Sequence, residues 1–382
     1  MMRKKPVLIF ALAILVFSVW SLIRPDFVFG NFSAKKGAGM DWKSPMRNCN
    51  TTDINNQCVV NFMNKVESLG VTWLYQWGLI DPRPAWLDPS IEFVPMIFAH
   101  GTNNDSSYPQ GMLDRYTNWT RENPNSHWLI WNEPDLYTSA VPDPHSQIPP
   151  LIAAKIYKPL YDAIKLGNSN AKVIIGGLYE INFAADGWVN TFRNEYKRLN
   201  GEFPPLDGWA FHYYGSYSSS DFRTKMYGVR DWLANNGYAG KEFWLTEFGN
   251  LSSNEIGLQM LKDQQEWLET EPFVTRYAFF YTGVEERMKG NLLTGSLSNL
   301  GAAQLSSLGL EYASHPINST PACPGDINAD RAVNQTDLAL LNTCYNPFDS
   351  PTAGCQIADL NHDNLVNALD YSLLLTRWGS CP

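Results

Sequence analysis

The chain has 382 residues, of which 44% are hydrophobic and 13% aromatic, with a formal net charge of −9 at pH 7. This length accommodates a large domain plus a small one, and the apolar content suits globular folding. The acidic balance excludes nucleic acid as a partner, because no basic stripe is available to neutralise a phosphate backbone.

The N-terminus reads MMRKK and continues as VLIFALAILVFSVWSLI, uncharged until Arg24. A basic start followed by an apolar run marks export. The run is long for a cleaved signal and no clean small-x-small site follows it, so residues 1–30 read either as a signal peptide or as an uncleaved membrane anchor facing outward. Export puts the six cysteines in an oxidising compartment. They fall into two groups: Cys49 and Cys58, then Cys323, Cys344, Cys355 and Cys381. No C-x-x-C spacing occurs, which favours disulfides over zinc.

Beyond the leader, strand-like and helix-like segments alternate. Eight strands are predicted, over 37–41, 72–77, 92–98, 128–132, 172–176, 208–213, 243–247 and 276–281. Helical stretches fall between most of them, including 57–69, 151–166, 186–199 and 254–269. Alternation of this kind predicts an α/β fold with a parallel sheet, and its length fits a (β/α)8 TIM barrel over 31–314. A Pro- and Ser-containing stretch at 315–322 reads as a linker before a separate unit over 323–382.

Two of the predicted strands end in glutamate. WLIWN runs into Glu133-Pro134-Asp135, and FWLT runs into Glu247-Phe248-Gly249, 114 residues downstream. Parallel barrel strands deliver their C-terminal residues to one mouth. Two carboxyl groups brought together there divide the work of glycosidic cleavage: one stays protonated to donate to the leaving oxygen, the other is ionised to attack the anomeric carbon. The 14 Trp and 18 Tyr point the same way, since flat aromatic faces stack on sugar rings. A single glutamate after an apolar strand is an ordinary loop residue; two of them three βα units apart, each with aromatic neighbours, form a pattern.

The order of these segments resembles clan A of the glycoside hydrolases. LYQWG, FVPMI, WNEPD, HYYG and WLTEFG more narrowly resemble glycoside hydrolase family 128, a group of β-1,3-glucanases, over about residues 37–313. The resemblance implies Glu133 as acid/base, Glu247 as nucleophile, Asn132 on the sugar 2-hydroxyl, and His212 with Tyr214 (or Tyr213) beside the nucleophile. Trp77 and Trp131 lie at strand ends and are candidates for the cleft. Strand eight ends in FFYTG rather than in the Trp of many clan members, making Tyr281 a candidate for the −1 subsite. The implied activity is retaining hydrolysis of a polysaccharide, foremost endo-β-1,3-glucan, with no cofactor for catalysis. Mannan, xylan or β-1,4-glucan as substrate, and a non-catalytic carbohydrate-binding protein on the same scaffold, remain open.

The tail carries an internal repeat. Asp326, Asn328, Asp330, Ala332, Asn334 and Asp337 recur 33 residues later as Asp359, Asn361, Asp363, Leu365, Asn367 and Asp370. Oxygen-bearing side chains at positions 1, 3, 5, 9 and 12, with a backbone carbonyl at position 7, form a twelve-residue calcium loop. Asp at position 12, Arg331 or Asn364 at position 6, and the missing incoming helix resemble the dockerin module. That resemblance implies a small all-α domain, two Ca2+ ions and docking to a cohesin-type scaffold protein. Its antiparallel helices bring the chain ends together and imply the pairings Cys323–Cys381 and Cys344–Cys355.

Overall fold

A computed structural model describes residues 33–40, 48–53, 55–79, 83, 87–98, 108–124, 126–136, 148–214, 219–249, 254–280, 282, 290–296, 298–314, 325, 327, 332–348, 355, 358, 360 and 365–380. The N-terminal apolar run and the 315–322 linker fall outside them. So do Tyr281, Cys323, Cys381, Asp326, Asn328, Asp330, Asp359, Asn361 and Asp363.

Nine parallel strands make one sheet. They are β1 (Lys36–Gly39), β2 (Trp73–Tyr75), β3 (Glu92–Val94), β4 (Met96–Ile97) and β5 (His127–Ile130), followed by β6 (Lys172–Leu178), β7 (Gly208–Tyr213), β8 (Glu242–Phe248) and β9 (Val274–Phe279). The order β3-β2-β1-β9-β8-β7-β6-β5-β4 puts the two halves of the third predicted strand at opposite ends of the sheet. Pro95 divides them, because proline brings no N–H to the ladder. Its carbonyl still accepts from the Leu129 N–H at 2.9 Å. With β3 paired to β2 and β4 paired to β5, the broken strand all but closes an eightfold barrel.

The helices α1 (Gln57–Glu67), α2 (Gln110–Glu122), α3 (Pro150–Gly167), α4 (Trp188–Asn200), α5 (Ser219–Asn235) and α6 (Asn254–Thr270) occupy the crossovers. The crossover from β2 to β3 has no helix among its described residues, in keeping with its proline content. A hairpin, β10 (Leu293–Ser296) and β11 (Asn299–Leu305), lies against α1, where Gly301 faces Cys58. Cys58 is bonded to Cys49. The helix α7 (Ser307–Ser314) follows it. No described helix is long and apolar enough to cross a membrane.

Strand alternation sorts the core into two shells. Trp73, Tyr75, Val94, Met96, Leu129, Ile174, Ala210, Trp244 and Ala278 fill the barrel interior. The opposite strand faces pack against the helices. The interior positions of β1 are glycines, and a Cβ would lie 2.1 Å from the Trp73 ring at Gly37 and 2.6 Å from the Tyr75 ring at Gly39. The missing side chains are therefore the space that two large rings of β2 occupy.

An ionic cluster stands at the N-terminal ends of the strands. His127 Nδ1 lies 2.7 Å from Glu92 Oε1, and Arg276 donates to Glu92 Oε2 at 2.6 Å while its guanidinium lies over the Trp244 ring. Burial works against the Glu92 charge, but His127 and Arg276 overcome it and hold the carboxyl down at about 2. Just before β1, Lys35 Nζ donates to the carbonyls of Leu268, Glu269 and Glu271, satisfying carbonyl groups at the C-terminus of α6. Lys36 Nζ donates to the Tyr312 carbonyl on α7.

In the C-terminal unit, α8 (Gln335–Cys344) and α9 (Ala368–Thr376) are joined by a two-residue pairing of β12 (Ala332–Val333) with β13 (Gly379–Ser380). Its core is small: Ile327, Val333, Leu341, Ala358, Val366 and Leu374. Cys344 is bonded to Cys355. Each helix begins with a capping box, Asn334 with Asp337 and Asn367 with Asp370.

Candidate active site

Glu247 reaches the mouth of the barrel through a bulge. Phe243 and Leu245 of β8 face the helices and Trp244 faces the interior, yet Phe248 again faces the helices. Phe211 is opposite Leu245 and His212 opposite Glu247, so Thr246 is an extra residue that shifts the alternation and turns Glu247 inward. His212 and Tyr214 follow the uninterrupted alternation of β7, whose Phe211 and Tyr213 pack outward.

Glu133 is delivered by a different device. The strand β5 stops at Ile130, and Trp131 and Glu133 both adopt left-handed backbone angles, φ 70° and φ 48°. Such angles in non-glycine residues cost on the order of 1 kcal/mol each and persist where neighbouring contacts enforce them. Here the Trp131 N–H donates to Ile97 O at 2.9 Å and the Glu133 N–H to Gly177 O at 3.0 Å. Asp135 holds the next loop, accepting from the backbone N–H groups of Tyr179 at 3.0 Å and Glu180 at 2.8 Å.

The two carboxylates and one imidazole form a compact trio. His212 Nδ1 lies 2.8 Å from Glu133 Oε1 and 3.5 Å from Glu247 Oε2. One carboxylate oxygen from each glutamate and a His212 ring nitrogen all lie within 4.8 Å of one another. All three residues are buried. Gly177, at φ 64°, leaves room for the imidazole: a Cβ there would stand 2.8 Å from His212 Nε2.

Glu247 is surrounded by donors. The Tyr214 hydroxyl bonds to Oε2. Trp77 Nε1 donates to Oε1 at 3.2 Å, and the Tyr75 hydroxyl reaches the same oxygen at 3.3 Å. Burial pushes the Glu247 carboxyl above its ordinary range; His212 pulls it back, the Glu133 charge raises it again, and the bonds from Tyr214 and Trp77 oppose that rise. Burial alone would lower the His212 ring, but the charges of Glu247 and Glu133 and the bond to Glu133 raise it above its ordinary value. The Tyr214 hydroxyl is lifted far up by burial and by Glu247, so it stays protonated and donates.

The structure therefore brings together Glu133, Glu247, Asn132, His212, Tyr214 and Trp77 of the sequence-predicted set. Asn132 is 3% exposed, with Oδ1 buried and unpartnered. Trp131 does not join them. It is 1% exposed, its indole N–H donates to the Tyr108 hydroxyl, and its ring packs against Tyr157, Trp188 and Phe192 in the outer shell. The left-handed turn at Trp131 sends its ring away from the mouth.

Sequence reasoning missed Tyr75, Asp135, Tyr179 and Phe280. The rings of Trp73, Tyr75 and Trp77 recur at every second position, which is the strand signal that would have placed Tyr75 inside. Phe280 meets Trp77 and Tyr214 edge-on, at 6.0 and 5.6 Å between centroids. In the C-terminal unit Asp337 and Asp370, position 12 of the two loops, are fully buried. Each accepts two backbone N–H groups, from Ile327 and Asn334 and from Leu360 and Asn367, at 2.7 and 2.8 Å.

Residues 48–312 match the family described as glycosyl hydrolase catalytic core, and residues 324–377 match the dockerin type I domain. No curated protein matches the chain. Among solved structures, a family 128 subgroup I endo-β-1,3-glucanase from Amycolatopsis mediterranei, in complex with laminaritriose, is 19% identical with a TM-score of 0.52, covering 74% of this chain and 99% of that one. A family 128 subgroup VI exo-β-1,3-glucanase from Aureobasidium namibiae is 15% identical with a TM-score of 0.52, covering 74% of this chain and 97% of that one. At such identities the likeness is one of fold.

Proposed function

The chain belongs to the glycosyl hydrolase catalytic core family and carries a dockerin type I domain, and we propose that its barrel is a retaining endo-β-1,3-glucanase. The observation that carries this reading is the Glu133–His212–Glu247 trio with three further donors on Glu247. Retaining glycosidases hold their carboxyl groups about 5–5.5 Å apart, and inverting ones about 6.5–9.5 Å to admit a water. Carboxylate oxygens within 4.8 Å support the first geometry.

Glu247 attacks the anomeric carbon, and its donors hold it as an oriented anion. Glu133 protonates the leaving oxygen, then takes a proton from water in the second step. His212 steadies the trio through Nδ1, and Asn132 holds the sugar 2-hydroxyl, a bond that strengthens toward the transition state. Trp77 and Tyr281 contribute to the glycone site, and Tyr214 lines the cleft beside Glu247. The β-1,3-glucan assignment is supported by the family 128 motifs and by the substrates named for the similar structures.

The C-terminal unit is a calcium-dependent docking module for a cohesin-type partner. Its donor set fits a hard cation: Asp337 and Asp370 are fully buried carboxylates at position 12 of two loops whose other positions carry oxygen donors. Asp326, Asn328, Asp330, Ala332, Asn334 and Asp337 would hold one ion, and Asp359, Asn361, Asp363, Leu365, Asn367 and Asp370 the other. A bound ion supplies the charge that lets two acidic loops fold beside a small core. The paired cysteines and the docking module support export, with 1–30 as leader or anchor, 31–314 as barrel, 315–322 as linker and 323–382 as module.

The test is product analysis on a polysaccharide panel with purified residues 31–382. Laminarin should yield oligosaccharides whose first-formed anomer, read by NMR, is β. Cleavage of mannan or xylan with none of laminarin rejects the substrate, and an α anomer rejects retention.

A further inference from the structure

Most large aromatic side chains near the mouth are wholly or partly buried. Among the described residues Tyr179 is the exception at 44% exposed. It follows β6 directly, so it stands on the same end of the barrel as the two glutamates. Its ring centroid lies 6.1 Å from that of Tyr214, with 35° between the planes, and Tyr214 in turn bonds to Glu247. Packing does not account for a large ring left half in water at this position.

Its placement is built. Asp135 accepts the Tyr179 and Glu180 backbone N–H groups, and Gly177 accepts the Glu133 N–H. The loop that carries Tyr179 is thus tied by main-chain bonds to the segment that carries the acid. The same loop continues through Ile181 and Phe183 into a depression of about 300 Å3, which Asp221, Thr224 and Lys225 of α5 also line. This side of the mouth combines a flat aromatic face with polar groups.

Around the nearly closed barrel, the short way from β2, which leads into Trp77, runs through β3, β4 and β5 to β6. Trp77 donates to Glu247, the residue that holds the glycone, whereas Tyr179 is tied to the segment of Glu133, the residue that meets the leaving group. Resting on the catalytic roles proposed above, the geometry points to Tyr179 as the stacking platform of an acceptor subsite, giving the enzyme transglycosylation onto a second glucan chain. An acceptor sugar lying on the Tyr179 ring presents a hydroxyl to the glycosyl–Glu247 ester. The hydroxyl oxygen bonds to the anomeric carbon, the ester bond to Glu247 breaks with its electron pair returning to the carboxylate, and the hydroxyl proton passes to Glu133. Water completing the same step gives hydrolysis, so the two products partition from one intermediate.

The test uses the full chain, an aryl β-glycoside of a laminari-oligosaccharide as donor, and a free laminari-oligosaccharide as acceptor. The transfer-to-hydrolysis ratio is read by mass spectrometry as acceptor is raised. The wild type should show a ratio that climbs and saturates; Tyr179→Ala should lower it by roughly fivefold, the scale of one lost aromatic contact, and Tyr179→Phe should restore it. Because both products leave one intermediate, a purely structural loss of activity lowers both alike and leaves the ratio unmoved. An unchanged ratio in Tyr179→Ala overturns the subsite while leaving the hydrolase reading intact. A wild type that cleaves no glycoside overturns the catalytic roles and this inference with them.

Discussion

Tyr75 and Glu247 come from strands on opposite sides of β1 and β9, yet one hydroxyl joins them: Tyr75 donates to the Thr246 carbonyl at 2.9 Å and reaches Glu247 Oε1 at 3.3 Å. The contact fastens the bulged residue and the glutamate it re-aims to the aromatic stack in the barrel interior. It exists because β1 presents Gly39 to that ring, where a Cβ would meet Tyr75 at 2.6 Å. Gly39→Ala should therefore displace the ring, costing about 1–3 kcal/mol of stability through overpacking. Turnover on laminarin should fall with it, with kcat reduced more than KM rises. Chemical denaturation and steady-state kinetics on the same preparation check both effects.

Glu247→Gln should abolish turnover. Glu133→Ala should slow it strongly on laminarin yet retain activity on aryl glycosides with good leaving groups, and azide should accelerate that variant and yield a β-glycosyl azide. Chromatography of the azide product checks the assignment; full activity in either variant rejects it.

Tyr214→Phe removes a donor that favours the ionised form of Glu247. The Glu247 carboxyl, already above its ordinary range, should rise further. Activity that needs the ionised nucleophile is lost as pH falls through that value, so the acidic limb of kcat/KM should move to higher pH. A hydrogen bond to a charged group is worth about 1.5–3 kcal/mol, which sets a loss of roughly 10- to 100-fold at the optimum. A pH–rate profile of the two proteins decides.

Glu92 is held at about 2 against an ordinary value of 4.5, so its contribution to stability is fully present above about pH 4.5 and disappears as pH falls toward 2. The shift corresponds to about 3 kcal/mol by linkage. The bonds to Glu242 and Glu92 outweigh burial and raise the His127 ring, so its contribution is present below about 6.5 and is lost as pH rises through the folded value. Glu92→Gln should destabilise the barrel at pH 6, and the gap from the wild type should close toward pH 2. Urea unfolding across pH measures this.

Chelation of the full chain should lower the melting of the C-terminal unit and its helical signal while the barrel continues to hydrolyse glucan. Asp326→Ala combined with Asp359→Ala should reproduce the effect and make the chain indifferent to chelator. Calorimetry with CaCl2 on the wild type gives the direct check, and an absence of binding heat rejects the metal assignment.

Much of the site was legible because chemistry and period coincide there. The two glutamates each close an apolar strand, and the register of β7 carries His212 and Tyr214 inward without interruption. Where the backbone departs from period two, the sequence is silent. Nothing in WLIWNEPD announces the left-handed Trp131, and alternation alone would have turned that ring toward the mouth. The extra Thr246 is equally invisible, although Glu247 faces the cleft only because of it. The break at Pro95 was readable in principle, since proline cannot donate to a central ladder. The Asp135 clamp depends on a loop 44 residues away, a separation no local pattern spans.

The bonds from Ser33, Lys35 and Lys36 to α6 and α7 also set a limit on any processing of the leader proposed for residues 1–30. Processing that removed these residues would strip the carbonyl cap from one helix and unpin the strand completing the sheet, so any cut must fall before residue 33. If the leader stays in the lipid instead, eight residues separate Arg24 from Ser33 and reach at most about 29 Å. Because β1 enters the barrel from the end opposite Glu133 and Glu247, such a short leash would seat the enzyme on the bilayer with its mouth directed away from the surface.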